Sequence, residues 1–149
     1  MHNLLRNVKI NYATAITGST AASNYPGLDM RGFSGISFVP LISGTPATDG
    51  SSIKAQECSS SGFTTGSDVA DLTGTSVALS SSITDGYAGL DLYRPNKRWV
   101  RMVHVKVSTA DIFSSVVELQ YRPGDAPVTH STAKNHGVEY HAGPSTGTA

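Results

Sequence analysis

Apolar and polar residues alternate in short runs along most of this chain, with a period of two. The clearest run covers 99–107, where Trp99, Val103, Val105 and Val107 fall on one side and Met102, His104 and Lys106 on the other. Residues 33–42 set Ile36 and Phe38 against Val39 and Leu41, and Pro40 interrupts the run. Proline lacks the N–H that a ladder needs, so this strand is expected at an edge or a bulge. Residues 53–57 alternate Ile53, Ala55 and Glu57 with Lys54 and Gln56, and Leu90 and Leu92 alternate with Asp91 and Tyr93. In the last run Val117, Leu119 and Tyr121 are expected to face inward. Asp49-Gly50 reads as a hairpin turn, and Asp85-Gly86, the segment 94–97 and the segment 122–125 as further turns. No segment keeps a 3.6-residue apolar period over three turns.

Strands at this spacing, separated by Gly, Pro and Asp, predict an all-β fold. The expected architecture is a single-domain antiparallel β-sandwich or jelly-roll-like barrel. Its body covers 29–125. Residues 1–28 read as an extended N-terminal arm, in which Val8, Ile10 and Tyr12 offer one short strand, and 126–149 as an extended C-terminal tail.

Composition agrees with strands and turns. Of 149 residues, 38% are hydrophobic and 15% charged, below the usual values of about 45–50% and about 25%. Ser, Thr and Gly make up the difference, and they form helices poorly. Eleven basic and eleven acidic residues give a formal net charge of zero. That balance argues against a nucleic-acid partner held by overall field and permits close packing of copies. With Cys58 alone, no intramolecular disulfide forms, as expected of a protein made in a reducing cytoplasm. The N-terminus lacks an export-signal pattern and no run approaches the ~20 apolar residues of a membrane span, so no membrane partner is expected.

Candidate chemistry is sparse. His130, His136, Glu139 and His141 superficially match a two-histidine, one-carboxylate metal set. On a strand, however, His136 leaves the face that Glu139 and His141 share, so a solvated or partner-facing tail is the preferred reading, with no metal and no cofactor. The segment 143–147 matches G-x-S-x-G without the strand and helix that such an elbow requires. Cys58 has no local histidine and reads as a buried thiol. His104 with Asp91 or Asp111 is the one hydrolase-like combination, and a mid-strand histidine is its milder explanation; no enzymatic activity is expected. The notable charge feature is Arg94, Lys97, Arg98, Arg101 and Lys106 interleaved with Tyr93 and Trp99. An interface with an acidic partner is its preferred reading, because arginine's fork pairs with carboxylates.

Several phrases occur together: Asp29-Met30-Arg31-Gly32-Phe33 before Ile36-Ser37-Phe38-Val39, then Ile53-Lys54-Ala55-Gln56-Glu57, Asp71-Leu72-Thr73-Gly74-Thr75-Ser76-Val77, Leu92-Tyr93-Arg94-Pro95-Asn96-Lys97-Arg98-Trp99-Val100-Arg101, and Gln120-Tyr121-Arg122 before Ala126-Pro127-Val128-Thr129. In this order, over 29–129, the chain resembles the capsid decoration (cement) proteins of tailed bacteriophages. Cys58 departs from the polar or acidic residue expected there. The resemblance implies a virion protein on the outer capsid surface, made in the bacterial host, bound to the major capsid protein and to itself, with a trimer favoured over a dimer. Contacts are expected from Lys9 and Tyr12 in the arm, from Tyr93, Arg94, Lys97, Arg98 and Arg101, and from Tyr140 in the tail. The alternative is a tail or neck component or a glycan-binding adhesin that uses Trp99 and Tyr93.

Overall fold

The alternating runs form strands, and the strands assort into two antiparallel sheets packed face to face. The computed structural model describes residues 4–14, 22–44, 50–64, 68–107, 113–131, 133 and 137. One helical turn, α1 (Leu4–Asn7), precedes β1 (Val8–Thr14), β2 (Ser23–Asn24), β3 (Leu28–Asp29), β4 (Phe33–Ile42), β5 (Ser52–Cys58), β6 (Ala70–Asp71), β7 (Val77–Ala78), β8 (Gly86–Tyr87), β9 (Leu90–Tyr93), β10 (Trp99–Val105) and β11 (Phe113–Pro123). Sheet I runs β1-β11-β4-β8, with β9 also on β4; sheet II runs β2-β10-β5-β6, with β3 on β10 and β7 on β5. The all-β sandwich expected from the alternation is the observed fold.

The core lies between the sheets. Ile36, Phe38, Leu90 and Leu92 of sheet I meet Ile53, Ala55, Val100 and Met102 of sheet II, and Tyr25, Met30, Phe113 and Val116 complete the cluster. Burying a side chain such as Phe38 contributes about 2–3 kcal/mol.

Four expectations need correction. First, the N-terminal arm is largely part of the body. All seven residues of β1 pair in register with β11, from Val8↔Tyr121 to Thr14↔Ser115. Beyond it, β2 and β3 pair with β10, and the Tyr25 N–H donates to the Met102 carbonyl at 3.0 Å. Tyr25 is fully buried. Short polar stretches around these residues hid the pairing, because backbone hydrogen bonds carry it and not a long apolar run. The start of the tail is held as well: Val128 N–H donates to the Arg6 carbonyl at 3.0 Å, and His130 Nε2 donates to the Leu5 carbonyl at 2.9 Å.

Second, the facing of β11 is shifted by one residue. Val116, Glu118 and Gln120 point into the sandwich, and Val117, Leu119 and Tyr121 point out. A one-residue shift exchanges the faces of a strand. The polar inward positions have partners: Gln120 accepts from Asn11 Nδ2 at 3.0 Å and donates to the Asp29 carbonyl at 2.7 Å, which ties sheet I to β3 of sheet II. Third, Asp49 lies outside the described residues, and the strands on either side of Asp49-Gly50 do not pair as a hairpin. β4 belongs to sheet I and β5 to sheet II, so the chain crosses between sheets there. Gly50 has φ +110°, a conformation open to glycine.

Fourth, Pro40 sits in an interior strand with neighbours on both sides. Its carbonyl accepts from Ala88 N–H at 3.2 Å, which shows that its backbone faces the β8–β9 side. There the β9 pairing ends at Phe38 and the β8 pairing begins at Leu41. Ala88 stands opposite Pro40 in the same register, so the proline forgoes only the reciprocal N–H bond of that pair, at the point where the β9 pairing gives way to β8.

Candidate interaction surface

The outer face of sheet I follows from the register. Tyr12, Val117 and Val39 stand side by side across β1, β11 and β4; Ile10, Leu119 and Ser37 form the next row, and Leu41 stands between Ser115 and Tyr87. These rows alternate with the buried inward positions, so their apolar groups point away from the core. Ile10 and Leu41 are each 38% exposed, Tyr12 44% and Tyr87 75%. A sheet face of two aliphatic and two aromatic groups at this exposure, backed by half-buried Val39, Val117 and Leu119, is an uncovered apolar patch, the kind that marks an interaction site.

One end of this face is polar, and a glycine builds it. A Cβ at Gly35 would overlap the Tyr121 ring, so only glycine lets Tyr121 lie across β4. The Tyr121 hydroxyl reaches Asp91 Oδ2 at 2.9 Å and the Leu92 carbonyl at 3.2 Å, and the other Asp91 oxygen accepts from Ser37 Oγ. Burial, and then the Asp91 carboxylate, push the Tyr121 phenol up to about 12, so it stays protonated and keeps donating. Next to it the Tyr93 ring carries Arg94 at 5.2 Å and Arg122 at 5.4 Å, and Arg122 Nη1 donates to the Tyr93 hydroxyl at 3.2 Å. The turn that presents Arg94 is anchored twice. Arg94 N–H donates to the Ser34 carbonyl at 2.7 Å, and Glu57 accepts from the N–H groups of Asn96 and Lys97 at 2.9 and 3.2 Å.

No protein-family model, curated protein or solved structure matches this chain.

The outer face of sheet II is different in kind. Lys54 pairs with Asp71 at 2.6 Å, Gln56 donates to the same carboxylate at 2.7 Å, and Arg101 donates twice to Gln56 Oε1, at 2.9 and 2.7 Å. Arg101 also stacks on Phe63 at 4.3 Å. Lys97 pairs with Asp68 at 3.2 Å, and Ser59 adds hydrogen bonds from its hydroxyl at 2.6 Å and its N–H at 3.0 Å. Those Ser59 bonds, ahead of Lys97, hold the Asp68 carboxyl far below its usual range, and the hydrogen bond from Lys54 lowers that of Asp71. Arg98 grips Asp29 with two bonds, at 2.9 and 2.6 Å, and lowers that carboxyl to about 2.

The basic and aromatic residues singled out in the sequence are thus divided. Tyr93 and Arg94 stand at the polar end of the sheet I face. Lys97, Arg98 and Arg101 are engaged by acids and amides of this same chain. Lys106 is buried. Lys9 lies on the inward side of β1, with Nζ 5.9 Å from the Phe33 ring, while Tyr12 points outward. Tyr140, His136, Glu139, His141, Asp111 and the segment 143–147 lie outside the described residues. His104 is stacked in the interior on Phe113, with ring centroids 4.1 Å apart. Asp91 points outward from sheet I, so the two do not form a catalytic pair. Cys58 is fully buried, and its thiol donates to Asp68 at 3.4 Å.

Sequence reading passed over Ile10, Leu41, Leu119, Gly35 and Arg122. A lone glycine inside a strand was the available signal for Gly35. For the aliphatic residues there was none, since alternation gives the two faces of a strand without saying which is covered.

Proposed function

We propose that this chain is a capsid decoration protein that binds the outer surface of a phage head and stabilises the shell, with the major capsid protein and further copies of itself, favoured as a trimer, as its partners. The observation that carries the reading is the uncovered apolar face of sheet I around Ile10, Tyr12, Leu41 and Leu119. A monomer gains nothing by presenting this face to water; a partner surface that covers it removes apolar area from solvent. Zero net charge lets many copies sit close together. The ordered phrases between Asp29 and Thr129 point to the same class of protein. Stabilisation follows from linkage, because a protein that binds only the assembled shell shifts the equilibrium toward it.

The test is electron cryomicroscopy of virions with thermal melting of expanded capsids mixed with purified protein. Hundreds of copies on the head and a raised shell melting temperature are expected. A handful of copies at the neck or tail would replace decoration with the alternative assignment, and absence from the particle would end both.

A further inference from the structure

Two arginines converge on one tyrosine at the polar end of the sheet I face. Arg94 and Arg122 come from different segments, yet their guanidinium carbons lie 5.2 and 5.4 Å from the Tyr93 ring centre. Both residues take left-handed backbone conformations, with φ of 54° and 52°. Such a conformation is unfavourable for arginine and persists only where the surroundings impose it, commonly at functional sites. Two like charges on one ring also repel each other. Among the described residues the ion pairs are Lys54–Asp71, Lys97–Asp68 and Arg98–Asp29, and neither Arg94 nor Arg122 belongs to one. The neighbouring acid, Asp91, has one oxygen bonded to Ser37 and the other to Tyr121.

Arg122 has a second role in the geometry. With Leu4, Val8, Ile10 and Leu119 it lines a groove of about 530 Å³ on the outer face of sheet I. The groove thus has aliphatic walls and a cationic end whose planar donors suit a carboxylate. A nucleic-acid strand fits poorly, because a run of phosphates needs a run of available cations and Lys97, Arg98 and Arg101 are already engaged.

We propose that Arg94 and Arg122, stacked on Tyr93, form a carboxylate clamp, and that the groove beside it receives a partner segment with apolar side chains next to a glutamate or aspartate. The inference rests on the decoration reading for the identity of that partner, an acidic and apolar segment of the major capsid protein. The clamp itself is a property of the isolated chain and is testable without shells.

Two measurements decide it. In the first, the arginine Nε–H resonances of isotope-labelled protein are followed while acetyl-Leu-Glu-Leu-amide or its Gln counterpart is added. Shifts of Arg94 and Arg122 with the Glu peptide, and none with the Gln peptide, are expected. Equal response to both peptides, no response, or a stronger response to oligodeoxythymidine overturns the clamp. In the second, R94Q/R122Q and R94K/R122K proteins are compared with wild type for binding to expanded capsids at several salt concentrations, with the melting temperature of the free protein as a control on folding. The Gln pair is expected to lose at least tenfold in affinity and to flatten the salt dependence, and the Lys pair to recover part of the affinity. Wild-type binding by the Gln pair, or a wild-type dimer in sedimentation that the Gln pair abolishes, overturns the assignment to a capsid segment. If wild-type protein binds no shell while the peptide shifts are present, the decoration reading falls and the clamp stands.

Discussion

The two outer faces of the sandwich are both built from antiparallel strands, yet they end in opposite states. On sheet II every prominent charged group has been given a partner from its own chain: Asp71 holds Lys54 and Gln56, Asp68 holds Ser59 and Lys97, and Asp29 holds Arg98. Phe63 is buried beneath Arg101. On sheet I the face is aliphatic and aromatic, and half-exposed Ile10, Leu41 and Tyr12 have water as a neighbour. One face pairs its charges within the chain, and the other leaves apolar side chains exposed. A count of charged residues points to sheet II, where the charges are already paired within the chain.

The largest effect is expected from the apolar side. Replacing Ile10 and Leu41 together by threonine keeps the β-branched or strand-compatible character while removing apolar contact area. Affinity for capsids should fall roughly a hundredfold once the loss is multiplied over many sites. Unfolding free energy should change by less than about 1 kcal/mol, because surface substitutions cost little. Urea titration beside a shell-pelleting assay separates the two. A double variant that pellets like wild type would leave the apolar face without a role.

Gly35→Ala comes next. Its Cβ overlaps the Tyr121 ring, so either the ring swings away from Asp91 or β4 shifts, at a cost of about 1–3 kcal/mol. The melting temperature should drop, and combining the change with Tyr121→Ala should recover part of the loss, since the obstructing ring is then gone. An unchanged melting temperature in the single variant would show that Tyr121 moves freely and does not order this end of the face.

On sheet II the opposite pattern is expected. Arg101→Ala removes two hydrogen bonds to Gln56 and the stacking on Phe63, and should lower stability by about 1 kcal/mol. Capsid affinity should be untouched. A variant that folds as well as wild type but loses capsid binding would move the interface to sheet II.

The smallest effect is a pH dependence. Arg98 holds the folded Asp29 carboxyl at about 2, below its ordinary 3.8. A lowered carboxyl contributes stability that is fully present above the ordinary value and is lost as pH falls from there through about 2. Water screens this partly exposed pair, so the contribution is about 1 kcal/mol or less. Denaturation midpoints of wild type and Asp29→Asn should therefore differ near pH 5 and converge toward pH 2. A constant gap across that range would assign the difference to packing and not to the ion pair.

The basic stripe shows why the candidate surface was only half legible. In the sequence Arg94, Lys97, Arg98 and Arg101 form one cluster. In space the turn between β9 and β10 carries the chain from one sheet to the other and sends Arg94 to Tyr93, Lys97 to Asp68, Arg98 to Asp29 and Arg101 to Gln56. Arg122, which completes the pair on Tyr93, lies 28 positions from Arg94 in the chain. Nothing local in the sequence relates the two.

What the sequence determined alone was local: period-two alternation and a surplus of Ser, Thr and Gly demand short strands and turns, and with them an all-β chain in which Ile36 and Phe38 share one face and Leu90 and Leu92 another. These follow from backbone geometry, which repeats every two residues wherever the strand lies. What only the tertiary structure decided was which face of each strand found a partner. β11 turns Glu118 and Gln120 inward and Leu119 outward because Gln120 bridges Asn11 and Asp29 across the sandwich. That choice depends on residues about 90 and 110 positions away. It leaves the sheet I face apolar, which is the property that most distinguishes this protein.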